Sequence, residues 1–192
     1  MTRALVVIDV QESFRQRPLW RAISNPEIAR DVARLVEAAR AAGDLVVWVL
    51  HSEPGSGSAF DPDRGFVRLI EPLAPLAGEP VLTKTSHNAF TTTGLQQLLT
   101  ARGIRELAIC GIRTEQCCET TARLAADLGY QVTFVVDATA TNPIARPGAP
   151  EMTVEELLAD PRTLPADAII ERTVYALAGR FAAIRTVAEL TG

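Results

Sequence analysis

Four polar side chains stand where apolar runs end, and their types together suit nucleophilic chemistry on a carbonyl. Asp9 closes the run Ala4–Ile8, His51 follows Leu45–Leu50, and Lys84 ends Pro80–Lys84. Cys117 follows Leu107–Gly111 across the tight connection Ile112–Gln116. A cysteine where a strand turns into a helix lies near unpaired first-turn N–H groups and the positive end of the helix dipole. That position pushes the thiol toward thiolate, the form that attacks. In such a site Cys117 attacks the carbonyl, and Asp9 takes the thiol proton and returns it to a leaving amine. Lys84 holds positive charge near both, favouring the thiolate and fixing the carboxylate. The N–H of Cys117 and one from the preceding turn are the natural donors to the oxyanion.

Each of these residues also has a plainer reading. Asp9 alone at a strand end caps the next loop as readily as it does acid–base work. A lone Lys84 is more often a solvated surface cation. Cys110 lies inside an apolar strand and reads as core. Cys118 is rotated by about 100° from Cys117 around the helix, so it reads as core or helix contact. The chain has two histidines, which excludes a multi-histidine metal site and leaves His51 and His87 as pocket or surface groups. Phe14, Trp20 and Phe60 either line a pocket or pack the core. CxxC and HExxH motifs are absent, so no metal is expected.

The elements that position these groups alternate. Apolar runs at Ala4–Ile8, Leu45–Leu50, Pro80–Lys84, Leu107–Gly111, Gln131–Val136 and Phe181–Arg185 read as strands,. Helical patterns separate them: Pro26 to Ala42 after Asn25 as cap, Thr92–Ala101, the stretch from Cys117 to Leu128 stopped by Gly129, a short helix after Thr153, and Pro165–Ala178,. Thr153-Val-Glu-Glu has the spacing of a capping box. Val10–Asn25 reads as a loop or a broken turn, Ser52–Arg64 and Ala138–Pro150 as loops, and Gly65–Pro75 as a short helix or irregular chain. The alternation predicts an α/β fold: a three-layer α/β/α sandwich with a mostly parallel, roughly six-stranded sheet. Asp9, His51, Lys84 and Cys117 then gather at the carboxyl ends of the strands, where open α/β sheets bind ligands.

Bulk properties narrow the partners. The 192 residues fit one domain, 1–192, and 47% hydrophobic content supports a sizeable core,. A net charge of −4 without a basic run argues against nucleic acid and anionic membrane surfaces,. No stretch approaches the ~20 apolar residues of a membrane span, and MTRALVVIDV reaches Asp9 too soon for a leader peptide,. Three cysteines, two of them adjacent, argue against a disulfide framework and for a reducing cytoplasm,. The expected partner is a small-molecule substrate.

Four blocks carry a resemblance over nearly the whole chain: LVVIDVQESF, TKTSHNAFTTTGLQQLL, CGIRTEQCCETTARLAADLGYQVTFVVDATAT and LAGRFAAIRTVAEL. In this order and spacing they resemble the isochorismatase-like cysteine hydrolases, which include nicotinamidases and N-carbamoylsarcosine amidohydrolase. The resemblance implies a triad of Asp9, Lys84 and Cys117, with Thr114-Glu115-Gln116-Cys117 selecting Cys117 over Cys118. It implies a cis peptide at Ile112–Arg113 and an oxyanion hole from the N–H groups of Arg113 and Cys117. The activity implied is hydrolysis of a small amide or carbamoyl C–N bond through a thioester, with no cofactor. Alternatives are vinyl ether or ester hydrolysis, as in isochorismatases proper, or a catalytically silent binding protein. The metal-binding Asp-x-His pattern of nicotinamidases is not found in WVLHSEPGSGSAFD, where His51 stands alone. Arg113 replaces the family's small or apolar residue and meets either an anionic substrate group or a structural acid. With it, Phe14, Trp20, His51 and His87 are the expected pocket residues. The resemblance further implies a homo-oligomer, a dimer or tetramer.

Overall fold

A computed structural model describes residues 3–192. Six strands form one parallel sheet: β1 (Arg3–Ile8), β2 (Leu45–His51), β3 (Val81–Lys84), β4 (Glu106–Ile112), β5 (Gln131–Ala140) and β6 (Ala183–Arg185). Their order is β3-β2-β1-β4-β5-β6. The chain therefore winds outward from β1 in one direction and, from β4, in the other. The carboxyl ends of β1 and β4 flank the switch point, the position at which such sheets open a ligand crevice.

Both faces of the sheet are covered, as near-continuous apolar strands require. Successive side chains of β1 point to opposite faces. Leu5 and Val7 pack with α2 (Ile28–Ala41) and with Val187 of α7 (Val187–Thr191). Ala4, Val6 and Ile8 pack with α3 (Leu95–Ala101), α4 (Glu119–Asp127) and Leu177 of α6 (Ala166–Leu177). Two further short helices, α1 (Glu12–Arg15) and α5 (Val154–Ala159), lie in the connections. The capping box of α5 forms as expected, Thr153 and Glu156 exchanging hydrogen bonds,. Among the described residues no helix is long and apolar enough to cross a membrane.

Several boundaries differ from the sequence reading. The Asn25 side chain accepts from the Glu27 N–H at 3.0 Å, which closes a turn and delays α2 to Ile28. The segment 10–25, expected as a loop or a broken turn, holds α1 and a 3₁₀ turn at Pro18–Ala22. Gly65–Pro75 takes the irregular of its two expected forms and lays Leu69 against Gln11 in an isolated bridge. β5 runs four residues beyond Val136, because a register shift lets Thr139 and Ala140 pair with Gly111 and Ile112. The loop at 138–150 thus begins later than its polar composition suggests.

Gly111 sits at that shift with φ +130°. A Cβ placed there would lie 1.9 Å from the Ile8 carbonyl oxygen. Only glycine permits this backbone and this approach, so β4 closes tightly on the end of β1.

Candidate active site

At the end of β1 the chain turns through Asp9, which takes φ +53°. The left-handed region is one that aspartate tolerates better than most residues. The Asp9 N–H stays bonded to the Val49 carbonyl at 2.8 Å, and the side chain is fully buried. Two strands away, Lys84 ends β3 in register with His51 of β2 and is also fully buried. Its Nζ lies 2.7 Å from Asp9 Oδ2. The contact is a buried ion pair, and the Cys117 thiol lies against the same carboxylate. The same Nζ donates to Cys117 Sγ at 3.4 Å and to the Ser86 carbonyl at 3.1 Å.

Cys117 is carried by a π-helical turn, Thr114–Cys118, set between β4 and α4. The Arg113 carbonyl accepts from the Gln116 and Cys118 N–H groups. Thr114 donates to Thr139 at 2.9 Å, tying the turn to the extended part of β5. Thr121 donates to the Cys117 carbonyl at 2.6 Å and accepts from the Ala89 N–H. Directly after the turn, buried Glu119 accepts from Arg123, Arg172 and Thr173, binding α4 to α6. The Ile112–Arg113 peptide is cis. Cys118, fully buried, joins the core between the sheet and α4, as does Cys110 on the other face.

The electrostatics correct one expectation. Cys117 is the fourth residue of a helical segment that begins at Thr114 and continues into α4, so it does stand in a first turn, but that position does not decide its protonation. Burial and the neighbouring Asp9 charge instead push the thiol up to about 12, outweighing Lys84,. Burial also raises the Asp9 carboxyl, with Lys84 opposing. The resting site therefore holds a protonated thiol beside a carboxylate with enhanced proton affinity. Iodoacetamide labelling of Cys117 should accordingly climb about tenfold per pH unit through the neutral and mildly alkaline range. A labelling rate independent of pH there would mean that the thiolate is already formed at rest.

The other expected pocket residues divide. His51 joins the cluster, its Nδ1 3.4 Å from Lys84 Nζ and its Nε2 3.4 Å from Glu53. Burial, then Lys84, lowers its pKa, so the neutral ring accepts at Nδ1, a tautomer assigned from these partners. Phe14 packs edge-on to Phe60 at 5.0 Å, and Phe60 in turn against His51 at 5.7 Å. That aromatic chain backs the site, although both rings belong to the core. Trp20 packs against the same core and stands 5.8 Å from the Arg15 guanidinium. His87 is exposed, one residue beyond the Ser86 carbonyl that Lys84 uses. Arg113 lines a cavity of about 290 Å³. Neither that cavity nor a larger groove of about 690 Å³ between Arg17 and Glu156 is lined by Asp9, Lys84 or Cys117. Sequence reasoning misses Gln11. Fully buried, it accepts from the His51 N–H at 2.7 Å and donates to the His51 carbonyl at 3.0 Å. Only its place two residues after Asp9 hints at this. Among the described residues, no three His, Cys, Asp or Glu side chains come together as a metal site.

With 32% identity, an isochorismatase from Pseudomonas putida KT2440 superposes at a TM-score of 0.83, covering 98% of this chain and 89% of that one. An N-carbamoylsarcosine amidase from Thermoplasma acidophilum superposes at 0.72, with 25% identity and 100% of both chains covered. The class is that of isochorismatase-like hydrolases. In sequence, residues 3–147 match the Isochorismatase domain, and the chain belongs to the isochorismatase family. A streptothricin hydrolase from Streptomyces noursei is 40% identical over 153 residues, 78% of this chain. This chain spans about half of that relative, 53% of its length.

Proposed function

We propose that this isochorismatase-family hydrolase is a cysteine amidohydrolase acting on a small amide or carbamoyl compound. The observation that carries the reading is the convergence of Asp9, Lys84 and Cys117, with Lys84 Nζ 2.7 Å from the carboxylate and 3.4 Å from the sulfur. In the reaction Cys117 Sγ adds to the substrate carbonyl carbon as its proton passes to Asp9. Lys84 stays charged and holds the carboxylate against the thiol. The carbonyl oxygen becomes an oxyanion facing the N–H groups of Arg113 and Cys117. Collapse of the adduct breaks the C–N bond, and Asp9 returns the proton to the departing nitrogen. Water then adds to the thioester, giving its proton to Asp9, and the acid leaves as Cys117 regains its thiol. The raised proton affinity of Asp9 suits a group that must take and hold a proton in each half of the cycle,.

Acid quenching during turnover of a panel of small amides and ureides tests this. Ammonia release together with an acyl mass increment on the peptide containing Cys117 is the expected result. Cleavage of esters or vinyl ethers with no ammonia from any amide would overturn it.

A further inference from the structure

Lys84 has more acceptors around it than protons to give. Its ammonium carries three N–H bonds. Four groups surround Nζ: Asp9 Oδ2 at 2.7 Å, the Ser86 carbonyl at 3.1 Å, and Cys117 Sγ and His51 Nδ1 both at 3.4 Å. The carboxylate and the carbonyl are the nearer claims, so one N–H is left between sulfur and imidazole. A neutral thiol is a weak acceptor, whereas an imidazole nitrogen with a free lone pair is a good one. That lone pair must sit on Nδ1, because an ammonium cannot accept from an N–H. Burial, then Lys84, keeps the ring uncharged against the opposing pull of Asp9 and Glu53. The ring is also held in place. Gln11 bonds both the N–H and the carbonyl of His51, Phe60 packs edge-on, and Glu53 Oε1 stands 3.4 Å from Nε2. Glu53 is itself tied to the Ser58 hydroxyl at 2.9 Å. Because Lys84 is fully buried, no solvent substitutes for an acceptor that is lost.

We infer that His51 is a positioning residue that competes with Cys117 for the third N–H of Lys84 and so keeps the nucleophile a thiol until a carbonyl arrives. At rest that N–H points to Nδ1 and the sulfur keeps its proton. As Sγ approaches a carbonyl and its proton passes to Asp9, negative charge grows on the sulfur. The N–H then turns to Sγ, since a charge-assisted bond outweighs a neutral one. The two arrangements differ by rotation about the Lys84 Cε–Nζ bond, and no heavy atom has to move. An unoccupied site therefore offers little thiolate to a passing electrophile or oxidant. Only the word nucleophile rests on the hydrolytic reading above; the competition for the N–H is measurable without turnover.

Iodoacetamide labelling of substrate-free protein at mildly alkaline pH, with peptide mapping of Cys110, Cys117 and Cys118, tests this. His51→Phe keeps a ring against Phe60 and removes the acceptor. Cys117 should then label about 3–10-fold faster, the weight of one neutral hydrogen bond. His51→Asn sets an amide oxygen near the position of Nδ1 and should label within about twofold of the parent. Cys110 and Cys118 should stay unlabelled in both, which separates a freed N–H from a loosened core. His51→Leu repeats the test should the phenyl ring not fit. Unchanged or slower Cys117 labelling in the apolar variant, an equal rise in His51→Asn, or labelling of Cys118 alongside Cys117 would each overturn the inference. So would failure of both apolar variants to fold, which would make His51 a stability residue. Faster Cys117 labelling with no ammonia from any amide would leave it standing and sink the amidohydrolase reading. Unchanged labelling with normal ammonia release would do the reverse.

Discussion

Cys117→Ala should lower kcat/KM for any accepted amide by about 1,000-fold or more, whereas Cys118→Ala should stay within a few-fold of the parent. The two residues are chemically identical neighbours, so the contrast isolates position. Cys117 Sγ is the sulfur that Lys84 reaches, 3.4 Å away, beside Asp9. In the proposed reaction no thioester forms without it, and what would remain is binding and oxyanion stabilisation. Cys118 is fully buried in the core between the sheet and α4. Its truncation removes one small apolar contact, at a cost of about 1 kcal/mol in stability. Ammonia release and thermal unfolding on both variants decide the matter. A Cys117→Ala protein with normal turnover, or a folded but inactive Cys118→Ala protein, would refute the assignment.

Lys84→Met should destabilise the fold by about 3–5 kcal/mol, the range seen when one member of a buried ion pair is removed. Both Lys84 and Asp9 are fully buried, so no solvent takes over the missing charge. The loss should depend on pH in a defined direction. Burial already raises the Asp9 carboxyl and Lys84 opposes that rise; without Lys84 the carboxyl moves further up. A carboxyl raised in the folded state contributes stability that is present below its unfolded pKa and lost as pH rises through its folded one. Lys84→Met should therefore be weakest at alkaline pH and recover toward mildly acid pH, where Asp9 takes up a proton. The double variant Asp9→Asn/Lys84→Met, with both charges gone, should regain a large part of the stability and lose the pH trend. Urea denaturation across that range measures all three. A pH-independent loss, or a double variant no better than the single, would show that the pair is not the source of the effect.

How much of this can be read from residues alone follows the range of the forces involved. An apolar run such as Ala4–Ile8 is a local pattern. The six strands and the helices between them are therefore legible, and so is the gathering of Asp9, Lys84 and Cys117 at one edge. Strand order is set by pairing between distant segments, and no local pattern states that β1 lies between β2 and β4. The extension of β5 through Thr139 depends on the register shift opposite Gly111. The clamp of Gln11 on His51 depends on two strand ends meeting. The protonation of Cys117 escapes the sequence for a similar reason. A helix dipole is visible in a strand-to-helix pattern, but the depth of burial and the approach of Asp9 are tertiary facts. His87 and Trp20 lie in segments without periodicity, where side-chain direction is set by neighbours far along the chain.

The missing side chain at position 111 has a bearing on how such a protein diversifies. Because β4 rests on the Ile8 backbone at a separation that no Cβ allows, the acid after β1 and the turn after β4 issue from one rigid joint. The segments bearing Leu19, Ile144 and Met152 hang from that joint and are not part of it. Selection acting on those rims can exchange one substrate for another while the spacing of acid and thiol stays constant. If those rims choose the substrate, chemistry and choice are inherited as separable modules, and a loop library built on residues 143–152, short of the capping box of α5, should change the second while sparing the first.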